Sequence, residues 1–272
     1  SIMNSNMKNY YPERIICLTE ETTETLYLLG EQDRIIGVSG FTVRPAIARK
    51  EKPKISTFID AQINKICDLK PDLVIGFSDI QGNIAKELIE KGIPVWINNH
   101  RSIDGIKRMI FQLGVLVGKK NISLQLIQQI NDKTLSITKR VEKWENRPKV
   151  FFEEWDDPMI SGIQWVSEII QIAGGIDIFP ELNNESLAKN RIIHNPDLVV
   201  QRNPDIILVS WCGKKFKKNK MIDRNDWVNI NAIINDKVYE IKSEIILQPG
   251  PASLLEGLPI IHNLFNDWYK GT

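Results

Sequence analysis

Between Glu153 and Pro158 the chain reads Glu-Glu-Trp-Asp-Asp-Pro, four carboxylates around one indole. Such a run can bind a cation or an amine, accept hydrogen bonds from ligand hydroxyls and amides, or supply an acid/base pair. It can equally be solvated loop charge that pairs with a helix N-terminus. Other chemistry-bearing residues are sparse. The histidines are His100, His194 and His262, widely separated and with no obvious carboxylate partner, so no metal site of the three-His or His/Asp kind is expected. Cys17, Cys67 and Cys212 are odd in number and far apart, which fits neither a disulfide framework nor a metal knuckle. Cys212 reads as a small buried residue or as a thiol turned toward a ligand. No Cys-His nucleophile pair, G-x-S-x-G, G-x-G-x-x-G or phosphate loop is present. No catalytic residue and no resident cofactor is expected; the one enzyme reading left is an acid/base pair within the 153–157 run.

Strands and helices must place these residues. Ile15-Ile16-Cys17-Leu18, Ile35-Ile36-Gly37-Val38, Leu73-Val74-Ile75-Gly76 and Val95-Trp96-Ile97 are short apolar runs of the kind that form buried parallel strands. Amphipathic segments lie between them, one ending at Gly30 and another at Gly92, so strand and helix alternate. From Ser102 to about Trp144 the apolar residues recur at helical spacing, predicting one long helix or two with a break near Gly118. The strand pattern then returns. Lys149-Val150-Phe151-Phe152 matches the first strand, Arg202-Asn203-Pro204-Asp205-Ile206-Ile207 echoes Leu69-Lys70-Pro71-Asp72-Leu73-Val74, and Lys237-Val238-Tyr239-Glu240-Ile241 closes the series. The fold class expected is α/β: two Rossmann-like lobes with parallel-type sheets, joined by one long backbone helix. The boundaries are residues 1–101 with a polar tail over 1–12, the connecting helix over 102–146, and the second lobe over 147–272.

In open α/β sheets ligands sit beyond the C-terminal strand ends, and two such lobes facing each other would form a cleft. The loops after the strands carry Glu21, Phe41, Arg44, Phe58 and Phe77 in the first half, and Glu154, Trp155, Asp156, Trp211 and Gln248 in the second, with Arg191 near a cleft position. These are the candidate ligand-binding residues. The aromatic members suit a large, flat, partly apolar ligand, though seam packing uses the same residue types. Arg44 and Arg191 could instead form surface salt bridges.

Composition narrows the partners. The 272 residues carry a formal net charge of +1, with 42 % hydrophobic and 25 % charged residues. This is an ordinary globular balance, with no basic face for nucleic acid beyond the short run Lys214 to Lys220. No apolar stretch reaches the roughly 20 residues of a membrane helix. Residues Ser1 to Tyr11 are polar and read as a tail, with no export leader visible. The expected state is a monomer.

From about Arg14 to Trp268 the chain resembles the substrate-binding proteins of ABC importers for vitamin B12, siderophores and haem, and most of all the cobalamin-binding branch. The residues that carry the resemblance are Leu69-Lys70-Pro71-Asp72-Leu73-Val74, Glu154-Trp155-Asp156-Asp157-Pro158, Gly162-Ile163-Gln164-Trp165-Val166, Ala173-Gly174-Gly175, Ser210-Trp211-Cys212-Gly213 and Pro249-Gly250-Pro251. The resemblance implies a corrinoid ligand, with a siderophore or haem as alternatives, held in the cleft between two lobes. It places corrinoid-contacting aromatics at Phe41, Phe58, Phe77 and Trp155; Phe58 and Phe77 replace family tryptophans, and Arg191 stands where the family has an aromatic. It also implies an ABC permease partner that each lobe meets through a carboxylate. Asp197 matches that position in the second lobe, whereas Asn64 beside Lys65 stands there in the first. The location implied is periplasmic or lipid-anchored outside the inner membrane. A cytosolic carrier or sensor of the same fold is the alternative, suggested by the unpaired cysteines.

Overall fold

A computed structural model describes residues 10–56 and 62–272. The chain divides into two compact units, one of Ser1–His100 with Asp104–Gln128 and one of Arg101–Ile103 with Gln129–Thr272.

In the first unit the strands are β1 (Ile15–Cys17), β2 (Ile35–Ser39), β3 (Lys54–Ser56), β4 (Leu73–Phe77) and β5 (Val95–Asn98). The helices are α1 (Glu20–Leu28), α2 (Ala46–Glu51), α3 (Ile63–Asp68) and α4 (Gly82–Glu90). The sheet order is β3-β2-β1-β4-β5, and every pairing is parallel. β1 lies at the centre, so all three of its residues are buried, as expected of a strand covered on both faces. Ile16, Leu18, Ile55, Ile66, Val74, Ile84 and Leu88 form the core around it. The order in which strands are added across the sheet reverses between β1 and β4, although the two run parallel. That switch point is where an open α/β sheet leaves a crevice beyond its strand ends.

The connecting stretch is two helices, α5 (Ile103–Leu116) and α6 (Lys120–Val141). They break at Gly118, whose φ of +73° is in the left-handed region and whose Cα lies against the ring of Tyr11, so that a Cβ there would meet Tyr11 Cε2 at 2.8 Å. Of the two readings of this stretch, two helices with a break at Gly118 is the one found. The division between the two units falls inside α6.

In the second unit the strands are β6 (Lys149–Asp156), β7 (Met159–Ser161), β8 (Ile176–Asp177), β9 (Ile206–Val209) and β10 (Val238–Glu240). The helices are α7 (Gln164–Ala173), α8 (Asp197–Arg202), α9 (Lys218–Ile222), α10 (Asn231–Ile234), α11 (Ser243–Ile246) and α12 (Leu258–Lys270). The order is β10-β9-β6-β7, with β8 also on β6; β6 pairs in parallel with β8 and β9 but antiparallel with β7. α7 ends at Gly174, with φ +110°, where a Cβ would collide with the Trp144 ring.

The repeated Pro-Asp turn has one job in both units. Asp72 accepts from the backbone N of Arg14 at 3.0 Å and returns its own N–H to the Arg14 carbonyl at 3.0 Å. Asp205 does the same with Lys149, at 2.8 Å in each direction. The residues two places before, Lys70 and Asn203, both adopt positive φ. Each turn thus fixes the start of its unit's central strand.

The sequence reading of Glu153–Asp157 as an acidic loop is corrected. β6 continues to Asp156 and folds back on β7, with Glu153 opposite Ser161, Asp156 opposite Met159 and an irregularity between Glu153 and Trp155. Charged residues are depleted in strands, so four of them within five residues read locally as a loop. The strand persists because cations far away in sequence neutralise its carboxylates.

Candidate functional site

In the first unit the parallel topology brings the ends of β1, β2, β4 and β5 to one edge of the sheet, and several candidate residues with them. Glu21 starts α1 just beyond β1. It is buried and receives the Thr19 hydroxyl at 2.6 Å. Burial pushes its carboxyl up to about 7, and the Thr19 hydrogen bond only partly offsets that. Gln81 closes the switch point: its Oε1 accepts from Phe77 N at 2.7 Å and its amide reaches the Leu18 carbonyl at 3.4 Å. Gly76 is required beneath it, since a Cβ there would lie 2.7 Å from Gln81 Oε1.

Beyond β2, Gly40 N donates to the Ser56 carbonyl at 2.5 Å, and Thr42 is tied back to Ser39 through both backbone and hydroxyl. This tight turn holds Phe41 out at 61 % exposure, unusual for so large an apolar side chain. Phe77, in contrast, is buried and meets His100 edge-on at 5.4 Å. Arg44 forms an ion pair with Glu24 at 2.6 Å, which is the salt-bridge reading of that residue. Phe58 lies outside the described residues.

In the second unit the C-terminal half of β6 is a row of ion pairs. Glu153, fully buried, is gripped by Arg224 at 2.6 and 3.2 Å and accepts from the Trp211 indole at 3.0 Å. Burial drives its carboxyl above the ordinary range, with Arg224 and Trp211 pulling the other way. Glu154 forms a two-pronged pair with Arg191, at 3.1 and 3.0 Å. Arg191 is buried rather than on the surface, and one of its N–H groups also reaches the Ser161 carbonyl at 2.5 Å. Asp156 pairs with Lys214 at 2.6 Å. Burial would raise the Asp156 carboxyl, but Lys214 and backbone N–H groups outweigh it and hold the group below the usual carboxylate range.

Three of the four acidic side chains are therefore matched by Arg224, Arg191 and Lys214. The arrangement stiffens the strand and leaves Trp155 as its aromatic feature. Trp155 packs against the second-unit core, and its indole donates to the Asp157 carbonyl at 3.1 Å. The Lys214 ammonium lies 4.4 Å from its ring centroid.

Trp211 does not stand beside it as an exposed wall. At 3 % exposure it is a core residue, edge-on to Phe216. Cys212 is exposed rather than buried, because β9 has ended by Val209 and the chain has turned outward; the buried thiol is Cys17. Gln248 is half-buried after α11. Asp197 is exposed at the start of α8, with its N–H received by Asn195 Oδ1 at 3.1 Å, and Asn64 and Lys65 are exposed on α3. A surface cavity of about 550 Å³ in the second unit runs from Asp156 and Asp157 past His194 and Asp197 to Arg224 and Trp227. Among the described residues no group of three or more His, Cys, Asp or Glu could hold a metal ion, and no helix is long and apolar enough to cross a membrane.

Sequence reasoning missed Lys214, Arg224 and Gln81 as partners of the site. Arg224 has no local signal, since it lies 71 positions from Glu153. Lys214 lies in the loop after the strand at 206–209 and at the start of a basic run, but nothing local links it to Asp156.

The chain matches the family described as periplasmic binding protein over residues 15–245. It is 28 % identical to the uncharacterized ABC transporter substrate-binding lipoprotein YvrC of Bacillus subtilis, covering 95 % of this chain and 82 % of that one. It is 27 % identical to a vitamin B12-binding protein of Vibrio campbellii, covering 92 % of this chain and 89 % of the other. The crystal structure of S. aureus IsdE complexed with heme superimposes with a TM-score of 0.78 at 22 % identity, over 93 % of this chain and 98 % of that one. The family match runs from β1 to α11, over most of the chain, and decides the class: the chain belongs to the periplasmic binding protein family, whose members carry ligands and are not enzymes.

Proposed function

We propose that the protein binds a corrinoid and hands it to an ABC permease on the outer side of the cytoplasmic membrane. The observation that carries the ligand is the likeness to a vitamin B12-binding protein over nearly the whole of both chains. The exposed Phe41 and the half-buried Trp155 support it, since each offers an aromatic surface at a strand end to a flat macrocycle. The likeness to a substrate-binding lipoprotein supports the location and the permease partner. Asp197, exposed at the start of α8, is the docking carboxylate of the second unit; Asn64 stands at the matching position of the first.

The test is a titration with hydroxocobalamin read by tryptophan fluorescence and confirmed by calorimetry. One-to-one saturable binding is expected. A carrier of haem or a siderophore would leave cobalamin unbound and saturate with haemin or a ferric siderophore in the same assay.

A further inference from the structure

We propose that Lys214 is a displaceable cover on Trp155, so that a flat ligand reaches the indole only by moving the ammonium aside. The role of Trp155 as a stacking surface rests on the ligand-binding reading above; the cover itself does not.

The geometry argues for it in three steps. First, Trp155 is held in a fixed orientation. Its ring packs against the core cluster of the second unit, and its indole N–H is spent on the Asp157 carbonyl at 3.1 Å. A ring fixed in this way is a preorganised platform, which costs little side-chain entropy on binding. Second, the platform is occupied. Lys214 Nζ lies 4.4 Å from the Trp155 centroid and 5.0 Å from that of Trp211, within the range of attraction between a cation and a ring. Asp156 Oδ1, 2.6 Å away, pins the ammonium there. Third, the cover can leave. The Lys214 side chain is 38 % exposed, sits on a four-carbon stem, and follows Gly213 in a positive-φ turn (φ +72°). Its contacts, two cation–ring attractions and one partly exposed ion pair made by a half-exposed ammonium, are each worth little.

The contrast with the other cations of β6 sharpens the point. Arg224 and Arg191 hold their carboxylates through paired guanidinium hydrogen bonds, and Arg191 is almost fully buried. They are structural. Lys214 makes a single bond from an exposed position over an aromatic face. The consequence is a ligand site that keeps its stacking surface covered while empty, and whose affinity is set partly by the cost of uncovering it.

The experiment uses the full chain with Lys214→Ala and Asp156→Asn combined, so that the two charges are removed together. In ligand-free protein, acrylamide should quench more of the tryptophan emission in this variant than in wild type. The increase should vanish when Trp155→Phe is added. Unchanged quenching would overturn the cover. In the second arm, the variant should bind hydroxocobalamin about two- to fivefold more tightly, the size of one exposed cation–ring contact, while Lys214→Arg should bind like wild type. Equal or weaker binding by the double variant would also overturn it. If no variant binds hydroxocobalamin, the corrinoid reading falls, and the quenching arm alone decides the cover.

Discussion

The guanidinium of Arg191 and the carboxylate of Glu154 face each other through two parallel hydrogen bonds, with Arg191 only 2 % exposed. A charge pair taken this far out of water stays favourable only while both partners are present. Arg191→Leu leaves Glu154 with no counter-charge and should lower the free energy of unfolding by about 3–5 kcal/mol. Adding Glu154→Gln should restore a large part of it. Urea unfolding of the two single variants and the pair, followed by far-UV circular dichroism, gives the coupling directly. Additive losses would mean that the pair carries no interaction of its own.

Trp155 and Trp211 should separate cleanly. Trp155→Ala is expected to weaken hydroxocobalamin binding by roughly 1–3 kcal/mol, as for an aromatic anchor. Trp211→Phe, which removes the indole donor from buried Glu153, should cost about 1–3 kcal/mol of stability and leave affinity unchanged. Calorimetric titration and thermal melts of both variants test the assignment together.

Glu21 predicts a pH dependence of known sign. Its folded carboxyl sits at about 7, against an ordinary value of 4.5, so the folded state holds the proton more tightly than the unfolded chain. The contribution to stability is full below about pH 4.5 and is lost as pH rises through 7, by on the order of 3 kcal/mol. Glu21→Gln cannot ionise. The difference in unfolding free energy between wild type and this variant should therefore shift across that window in favour of the variant and stay flat above pH 8. A difference independent of pH from 4.5 to 8 would show that Glu21 is not held protonated.

Asp197 is expected to matter to delivery and not to capture. Asp197→Ala should leave hydroxocobalamin affinity as in wild type and reduce ligand-stimulated ATP hydrolysis by the reconstituted permease several-fold. Asn64→Asp should increase that stimulation if the first unit docks at the same place.

Much of this was legible in the sequence, for reasons that lie in particular residues. Ile15-Ile16-Cys17 and Ile206-Ile207-Leu208 are continuous apolar runs because their strands are covered on both faces, and period and burial agree there. Asp72 and Asp205 repeat because each closes the same turn onto a central strand. Phe41 could be nominated because it is a large aromatic in the loop that follows an apolar strand. What stayed hidden was pairing at a distance. The strand character of Glu153–Asp156 depends on Arg191, Lys214 and Arg224, and no local pattern links those cations to that run. For Trp211 the sequence leaves cleft and core packing open for the same reason. Its indole is turned inward by Glu153, a partner 58 positions away.

Whether this chain captures a corrinoid is decided by the hydroxocobalamin titration. Saturation at one ligand per chain with sub-micromolar affinity, with the fluorescence change lost in Trp155→Phe, is the predicted result. A heat-silent titration with no fluorescence change beyond absorption by the ligand, in protein that still binds haemin or a ferric siderophore, would contradict it.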